Sequence, residues 1–440
     1  MQLALTLLLA LFATLAGPPT VTSEDWPGWR GPTQNGISPL KDLPLTWSAT
    51  ENVAWKAPLS GKGLSSPVIS GKRIFLTADV IGAPVEGFVA PKHKISGGLP
   101  FRNPDSVPAN NKHALHVLCF DADSGKQLWD RVVYDGMMYD EVHKTANYAA
   151  STPATDGKFV YASFGSEGFY KLDFNGNVIW KGDLGHIDTI GLGYGSSPVL
   201  FEDKMIVLAD QDSGDHSFIA ALSIADGKTA WKTARTVPNT YTTPVLIDVE
   251  GKKELVVSAT TVVAYDPRDG KELWHAAGAQ GVVVHTPVWG LGMFIATVGY
   301  PVKQTLGIRL NPGEGEERVA WKYTKGTSYV PSPLLYGDYL YLLTDSGLMS
   351  CLNPRTGEVL YEGKRFPNPG KFNSSMVAFD GKILATSDDG DTYIVKAGPE
   401  YEVLGKNSLG DGVQTSLALA GNSVYIRSDA ALYRIRKGAK

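Results

Sequence analysis

The stretch YTTPVLIDVEGKKELVVSATTVVAYDPRDGKELW, residues 241–274, contains four apolar runs of strand length separated by turn signals. The runs are PVLID, LVVSA, VVAYD and KELW, the last of which continues to His275, and the turns fall at Glu250-Gly251 and between Asp266 and Gly270. This pattern predicts a four-stranded antiparallel meander with two largely apolar faces. Such a sheet is stable when similar sheets cover both faces, as the blades of a propeller do.

A pair of small hydroxylated residues, often followed by proline, recurs along the chain and marks the start of each copy. Proline is tolerated where a strand begins, so each pair predicts the start of an innermost strand beside a central channel. The second residue of this opener is Ser66, Thr152, Ser197, Thr243, Thr286, Ser332, Ser375 or Ser416. Eight openers predict an all-β, eight-bladed propeller of four-stranded antiparallel blades.

Most copies close with a turn glycine followed four residues later by an aromatic residue. The glycine supplies positive φ in a tight hairpin, and the aromatic side chain on the outer strand can cover the junction with the next blade. The predicted docking residues are Trp55, Trp129, Trp180, Trp231, Trp274, Trp321 and Tyr361. Alanine at Trp274 should therefore cost much more stability than alanine at Trp26, which precedes the blades.

The last copy, residues 415–436, lacks a closing tryptophan. The N-terminal sequence ENVAWKAPL contains a run that matches the fourth strand of the module, although a chance match of VAWK is an alternative. We therefore expect residues 46–60 to complete the last blade. The propeller then spans residues 23–440.

Residues 1–22 contain an apolar run that ends in small residues near Ala16-Gly17 and is short for a membrane span. The run predicts a secretory signal peptide and hence a periplasmic or secreted protein without a transmembrane span in the mature chain. A buried or anchoring helix is the alternative, because no Lys or Arg precedes the run. No cysteine follows it that could carry a lipid anchor.

The net charge of -4 and the 43% hydrophobic content argue against a nucleic-acid partner and for a well-packed core. We expect one propeller domain and a monomer. Cys119 and Cys351 occupy equivalent positions in blades one and six, which are too far apart in the ring for a disulfide bond. Both are expected to be buried packing residues.

Blade one, residues 64–133, carries a long insertion at 80–114, and a second insertion follows at residues 134–148. In an antiparallel meander the connections from second to third strand and from fourth strand to the next opener leave on the same side of the ring. Both insertions are therefore predicted to lie on one face, together with the segments before the openers. We call this the loop-rich face. The alternative is that the insertions only cap the channel.

The segments before the openers add polar and aromatic side chains to the loop-rich face. Loops on a rigid scaffold often carry function, and aromatic and arginine side chains dominate binding energies. The residues expected to bind a ligand or partner are Tyr194, Arg235, Tyr241, His285, Tyr329, Lys371, Asn373, Gln414 and His186. For His285, a hydrogen-bonded structural role is the alternative. The opposite face holds repeated hairpin turns. The requirements of turn geometry fully explain the residues in these turns.

The repeated sequences DADSGKQLW and YDPRDGKELW resemble the tryptophan-docking motif of pyrroloquinoline-quinone-type (PQQ) eight-bladed propellers, and WPGWRGP resembles secreted PQQ-repeat-like bacterial proteins. The resemblance covers nearly the whole chain after residue 22. It implies the fold but leaves the function open, because the family includes both quinoprotein alcohol dehydrogenases and BamB, a non-catalytic propeller of outer-membrane protein assembly.

A quinoprotein of this kind would need a tryptophan and a vicinal disulfide around PQQ, a calcium ion held by Glu, Asn and Asp, and a carboxylate base. The sequence has no Cys-Cys pair and no CxxCH haem motif. Its aspartate-rich loops lack the bidentate glutamate of an EF-hand, and its histidines match no zinc-ligand spacing.

No catalytic residue, metal site or cofactor is therefore predicted. We predict an exported, BamB-like binding or assembly module that meets a protein or a small polar ligand at its loop-rich face. The alternative is an oxidoreductase that depends on PQQ with calcium, or on another metal.

Overall fold

The structure is a computed structural model that describes residues 22, 24–89, 91–95 and 98–439. The predicted signal peptide lies almost wholly outside these residues. In the described part of the chain, no helix is long and apolar enough to cross a membrane. One 3-10 turn is present at Gly165–Glu167.

The strands up to the end of the fourth blade, in chain order, are β1 Val53–Pro58, β2 Val68–Ser70, β3 Arg73–Pro84, β4 His93–Ile95, β5 Leu99–Phe101, β6 Ser106–Val107, β7 Asn111–Asp121, β8 Gln127–Met137, β9 Val142–His143, β10 Ala154–Thr155, β11 Phe159–Ser163, β12 Phe169–Asp173, β13 Val178–Gly182, β14 Val199–Phe201, β15 Lys204–Ala209, β16 Phe218–Ser223, β17 Thr229–Ala234, β18 Val245–Val249, β19 Lys252–Val257, β20 Thr261–Tyr265 and β21 Glu272–Ala277.

The remaining strands are β22 Val288–Gly290, β23 Met293–Val298, β24 Gln304–Arg309, β25 Val319–Tyr323, β26 Leu334–Tyr336, β27 Tyr339–Leu343, β28 Leu348–Leu352, β29 Val359–Arg365, β30 Val377–Phe379, β31 Lys382–Thr386, β32 Asp391–Lys396, β33 Val403–Ser408, β34 Ala418–Ala420, β35 Ser423–Arg427 and β36 Ala431–Arg436.

These strands form eight four-stranded antiparallel sheets. Blade one is β2-β3-β7-β8, and blades two to seven each take four consecutive strands from β10 to β33. The prediction of an all-β, eight-bladed propeller is confirmed. Cys119 and Cys351 are buried and unpaired in the third strands of blades one and six.

The last blade is closed by the N-terminal strand, as predicted. β1 pairs antiparallel with β36, with Lys56 opposite Tyr433 and Pro58 opposite Ala431. The Trp55 indole N–H donates to the Ala122 carbonyl of blade one at 3.0 Å. The first and last parts of the chain therefore hold the ring shut together.

Five docking tryptophans join their blade to the following one through the indole N–H. The indole N–H groups of Trp129, Trp180 and Trp321 donate to turn carbonyls of the following blades at 2.9, 3.0 and 2.9 Å. The turn glycines allow a positive φ and make room for the docking ring. Gly176, for example, has φ of 84°, and a Cβ atom there would lie 2.8 Å from the Trp129 ring. Trp274 differs, because it donates to the Glu254 carboxylate at 2.7 Å.

The opener hydroxyls form a belt of hydrogen bonds around the channel. In six of the eight openers the second hydroxyl accepts from the backbone N–H of the preceding opener, which requires Ser or Thr at these positions. Six such bonds of 2.9–3.0 Å join the pairs 66–152, 152–197, 197–243, 286–332, 332–375 and 375–416. The Thr286 hydroxyl accepts instead from the Trp29 indole at 2.7 Å.

Residues 26–38 cross the channel at the end away from the loop-rich face, and we call them the channel plug. Trp26 exchanges two backbone hydrogen bonds with Ile69 of blade one, and Gly36 and Ser38 exchange two with Ala378 of blade seven. Between them, Gln34 accepts from the Leu246 N–H of blade four through its side chain. The plug therefore links the innermost strands across the ring.

Trp26 corrects one prediction from the sequence. Its side chain is 1% exposed and packs in the cluster that joins blades one, seven and eight, whereas Trp274 is half-buried. The premise that Trp26 lies outside the packed blades was therefore wrong, and we now expect alanine at Trp26 to cost more stability than alanine at Trp274. The repeat pattern of the sequence does not reveal the plug, because the plug residues form no strand of a blade.

The two insertions meet on one face. β3 and β7 continue their pairing to Pro84 and Asn111, so blade one's own hairpin extends into the region predicted as an insertion. Beyond it, β4 pairs with β5, and β6 of the first insertion pairs with β9 of the second. The insertions therefore form one continuous structure on the loop-rich face.

Candidate functional site

A central cavity of about 320 Å³ lies where the channel meets the loop-rich face. Its wall consists of the openers and the residues just before them, and Trp29 of the channel plug contributes to the lining. The side-chain donors and acceptors of the lining belong to His143, Thr145, Asn147, Thr152, Tyr194, Ser197, Tyr241, Thr243, His285, Thr286, Tyr329, Ser332, Asn373, Ser375, Gln414, Thr415, Ser416 and Trp29. The channel plug therefore borders the cavity on the side away from the loop-rich face.

The structure brings six of the nine residues predicted to bind a ligand or partner together around this cavity. They are Tyr194, Tyr241, His285, Tyr329, Asn373 and Gln414. Each precedes or belongs to an opener, so the ring geometry carries side chains from distant parts of the sequence to one pocket.

The other three predicted residues lie elsewhere. Arg235 is buried in an ion pair with Asp210, with Nε and Oδ1 2.6 Å apart, and it also donates to the Tyr265 hydroxyl. Lys371 is exposed outside the lining, and His186 stacks on Tyr139 with ring centroids 3.9 Å apart. Arg235 is therefore a structural residue, because its charge is already neutralised inside blade three.

Trp29 and the second insertion are the parts of the cavity that sequence reasoning did not assign. His143, Thr145 and Asn147 reach the lining because β9 holds the insertion against the first one. A signal for Trp29 existed in the compact WPGWRGP segment, which contains two tryptophans and an arginine outside any blade.

The lining contains few ionisable side chains. Among the described residues it contains hydroxyl, amide, aromatic and imidazole groups, but no Asp, Glu, Lys or Arg side chain. Burial lowers the pKa of His285 to about 4, so its imidazole is neutral. The Nδ1 atom of His285 lies 3.1 Å from the Tyr329 carbonyl, which it reaches as a donor, and Nε2 has no partner among the described residues.

A buried charge cluster fixes the insertions above the cavity. His93 of the first insertion contacts Asp140 through Nε2 at 2.9 Å and Asp212 through Nδ1 at 3.1 Å. Burial opposes the charge of His93, but the two carboxylates outweigh it and raise its pKa to about 10. The imidazolium therefore ties both insertions to blade three at neutral pH.

Glu167 anchors the start of the second insertion and makes its stability depend on pH. Its Oε1 atom accepts from the Tyr139 N–H at 2.9 Å, and burial raises the pKa of the carboxyl to about 7. Since the folded pKa exceeds the usual value of 4.5, the folded state holds the proton more tightly. The free energy of unfolding therefore falls as pH rises from about 4.5 to about 7.

We expect Glu167→Gln to remove most of this fall, because the amide keeps the acceptor without the charge. Measured by denaturant unfolding at pH 8, the free energy of unfolding of the variant should exceed that of the natural chain by up to about 2 to 3 kcal/mol. At pH 4 the two free energies should be equal. An equal difference at both pH values would show that Glu167 does not titrate in this range.

The fold and the pocket define a class: an eight-bladed propeller with a central cavity under a loop-rich face. The family model described as "Outer membrane protein assembly factor BamB" matches residues 114–359 and again 249–439. The chain therefore belongs to this family of PQQ-like propellers. No curated protein matches it.

Solved structures share the fold at low sequence identity. BamB from Moraxella catarrhalis is 16% identical with a TM-score of 0.53, over 81% of this chain and 100% of that one. The quinohemoprotein alcohol dehydrogenase from Comamonas testosteroni is 12% identical with a TM-score of 0.61, over 95% of this chain and 81% of that one. Similarity at this level shows the fold alone.

Proposed function

We propose that this chain is an exported, non-catalytic binding module that receives an uncharged ligand group in the central cavity. The observation that carries the proposal is the lining of the cavity, which contains hydroxyl, amide and aromatic groups but no Asp, Glu, Lys or Arg side chain among the described residues. Pockets of this kind recognise a ligand by apolar contact and a few placed hydrogen bonds. The group can belong to a small polar molecule or to a side chain of a partner protein.

The donor set of the cavity supports binding over quinone-dependent oxidation. A calcium ion prefers carboxylate ligands, and the acidic PQQ would need cations around it. The cavity offers the amides of Asn147, Asn373 and Gln414, with neither carboxylates nor cations among the described residues. Within the same residues, no group of three or more His, Cys, Asp or Glu side chains could hold a metal ion. The residues present do not fit calcium and PQQ.

Filling the cavity tests the proposal. A Cβ atom at Gly195 would meet Tyr241 at an ordinary 3.5 Å, so Gly195→Phe can occupy the cavity without backbone strain. The natural chain is immobilised on a resin and incubated with periplasmic extract of the cell from which it comes. It should retain a ligand or partner that mass spectrometry detects after elution. Gly195→Phe should retain at least about tenfold less, a loss equivalent to about 1.4 kcal/mol.

Gly405→Phe is the matched control. Gly405 lies in β33, the outer strand of blade seven, and a Cβ atom there meets nothing within 4 Å. This variant should capture as much as the natural chain. Equal capture by Gly195→Phe, or a quinone spectrum with dye-linked alcohol oxidation after addition of calcium and PQQ, would contradict the proposal.

A further inference from the structure

Arg30 of the channel plug is a buried cation without a counter-charge in the structure. Its side chain is 2% exposed, and Nη2 donates to the carbonyls of Asn35 at 2.8 Å and Pro333 at 2.9 Å. The Nε and Nη1 atoms have no hydrogen-bond partner among the described residues. Within the same part of the chain, no carboxylate forms an ion pair with this guanidinium.

The free-energy cost of burying the unpaired guanidinium indicates that Arg30 binds a counter-ion. Burial lowers the pKa of Arg30 to about 9, so the guanidinium is still charged at neutral pH. A buried charge without a counter-ion is strongly destabilising, and each buried N–H group without an acceptor adds to that cost. Two neutral carbonyls satisfy only one of the three nitrogen atoms.

The surroundings of Arg30 restrict what the partner can be. The guanidinium lies close to Gly36, where a Cβ atom would approach Nη2 to 3.0 Å, and Arg30 does not line the central cavity. The enclosed position favours a small ion over a ligand that enters from the mouth.

We propose that the channel plug holds a small monovalent inorganic anion, of the size of chloride, at the free N–H groups of Arg30. The anion neutralises the buried guanidinium and thereby stabilises the plug across the channel. An ion that binds only the folded chain raises its stability with the logarithm of the ion concentration. Arg30 itself does not line the cavity, and the anion site does not depend on the function proposed for the cavity.

Thermal unfolding in chloride, with gluconate keeping the ionic strength constant, tests the site. For a chain of this length we expect the melting temperature to rise by about 1 to 2 °C for each tenfold increase in chloride above its dissociation constant. Arg30→Gln should abolish this dependence.

Arg427→Gln is the matched control, because Arg427 is equally buried but has its acceptors. Its Nη1 atom donates to the Ser65 carbonyl, the Ser65 hydroxyl and the Thr77 carbonyl at 3.2, 2.7 and 2.8 Å. This variant should keep the chloride dependence of the natural chain. The same dependence in Arg30→Gln, or none in the natural chain, would overturn the proposal.

Crystals of the natural chain grown in bromide give a direct answer even if a variant fails to fold. An anomalous peak within hydrogen-bonding distance of Arg30 Nε or Nη1 is the expected result. A water molecule at that position, without anomalous signal, would refute the anion site.

Discussion

Deletion of residues 24–59 is expected to prevent the propeller from reaching a stable monomeric state. The deletion removes the channel plug, the strand that completes the last blade, and the buried side chains of Trp26 and Trp47. Each such tryptophan is worth about 3 to 5 kcal/mol, and a whole domain is stable by only about 5 to 15 kcal/mol. The truncated chain should elute as aggregates in size-exclusion chromatography and lose its cooperative thermal transition.

The mechanism of this loss is the exposed edge of β36, which would offer unpaired backbone groups to other chains. A synthetic peptide of residues 24–59 should restore a monomer when it is added during refolding, whereas a scrambled peptide should not. A truncated chain that remains monomeric with an unchanged melting temperature would show that closure by β1 does not hold the ring together.

The second large effect is expected from Trp26→Ala. Trp26 is 1% exposed and packs where blades one, seven and eight meet, so its removal leaves a cavity that its neighbours cannot fill. We expect a loss of about 3 to 5 kcal/mol in the free energy of unfolding, measured with denaturant. Trp274→Ala should cost less, because the Trp274 side chain is only half-buried.

Leu273→Ala is a suitable control for the tryptophan variants. Leu273 lies beside Trp274 on β21 but is 48% exposed, so its removal should change stability by less than about 0.5 kcal/mol. A loss below about 1 kcal/mol for Trp26→Ala would contradict the role assigned to the plug.

The fold was predictable because its signals repeat. The opener hydroxyls, the turn glycines and the tryptophans each recur at blade spacing, and each has a local physical reason that acts within one blade or between neighbours. The closing strand was predictable for the same reason, since Trp55 copies the position of Trp274 in the module. The plug was not predictable, because its hydrogen bonds reach residues such as Ile69 and Ala378, which nothing in its sequence specifies.

The cavity was partly predictable from position. Tyr194, Tyr241 and Tyr329 precede openers, and a ring places every such residue near the channel mouth. Position alone did not reveal side-chain direction. Arg235 precedes an opener by several residues, but its side chain turns into the blade because Asp210 offers a buried carboxylate.

Photo-crosslinking in the native cell tests the central claim, that the cavity on the loop-rich face is the binding site. Benzoylphenylalanine replaces Tyr329 in the cavity lining in one variant and the exposed Arg268, on the hairpin face, in another. After irradiation, mass spectrometry should find an adduct on the chain labelled at position 329 and none on the chain labelled at 268. An adduct at 268 alone, or no adduct at either position, would contradict the assignment of binding to the central cavity.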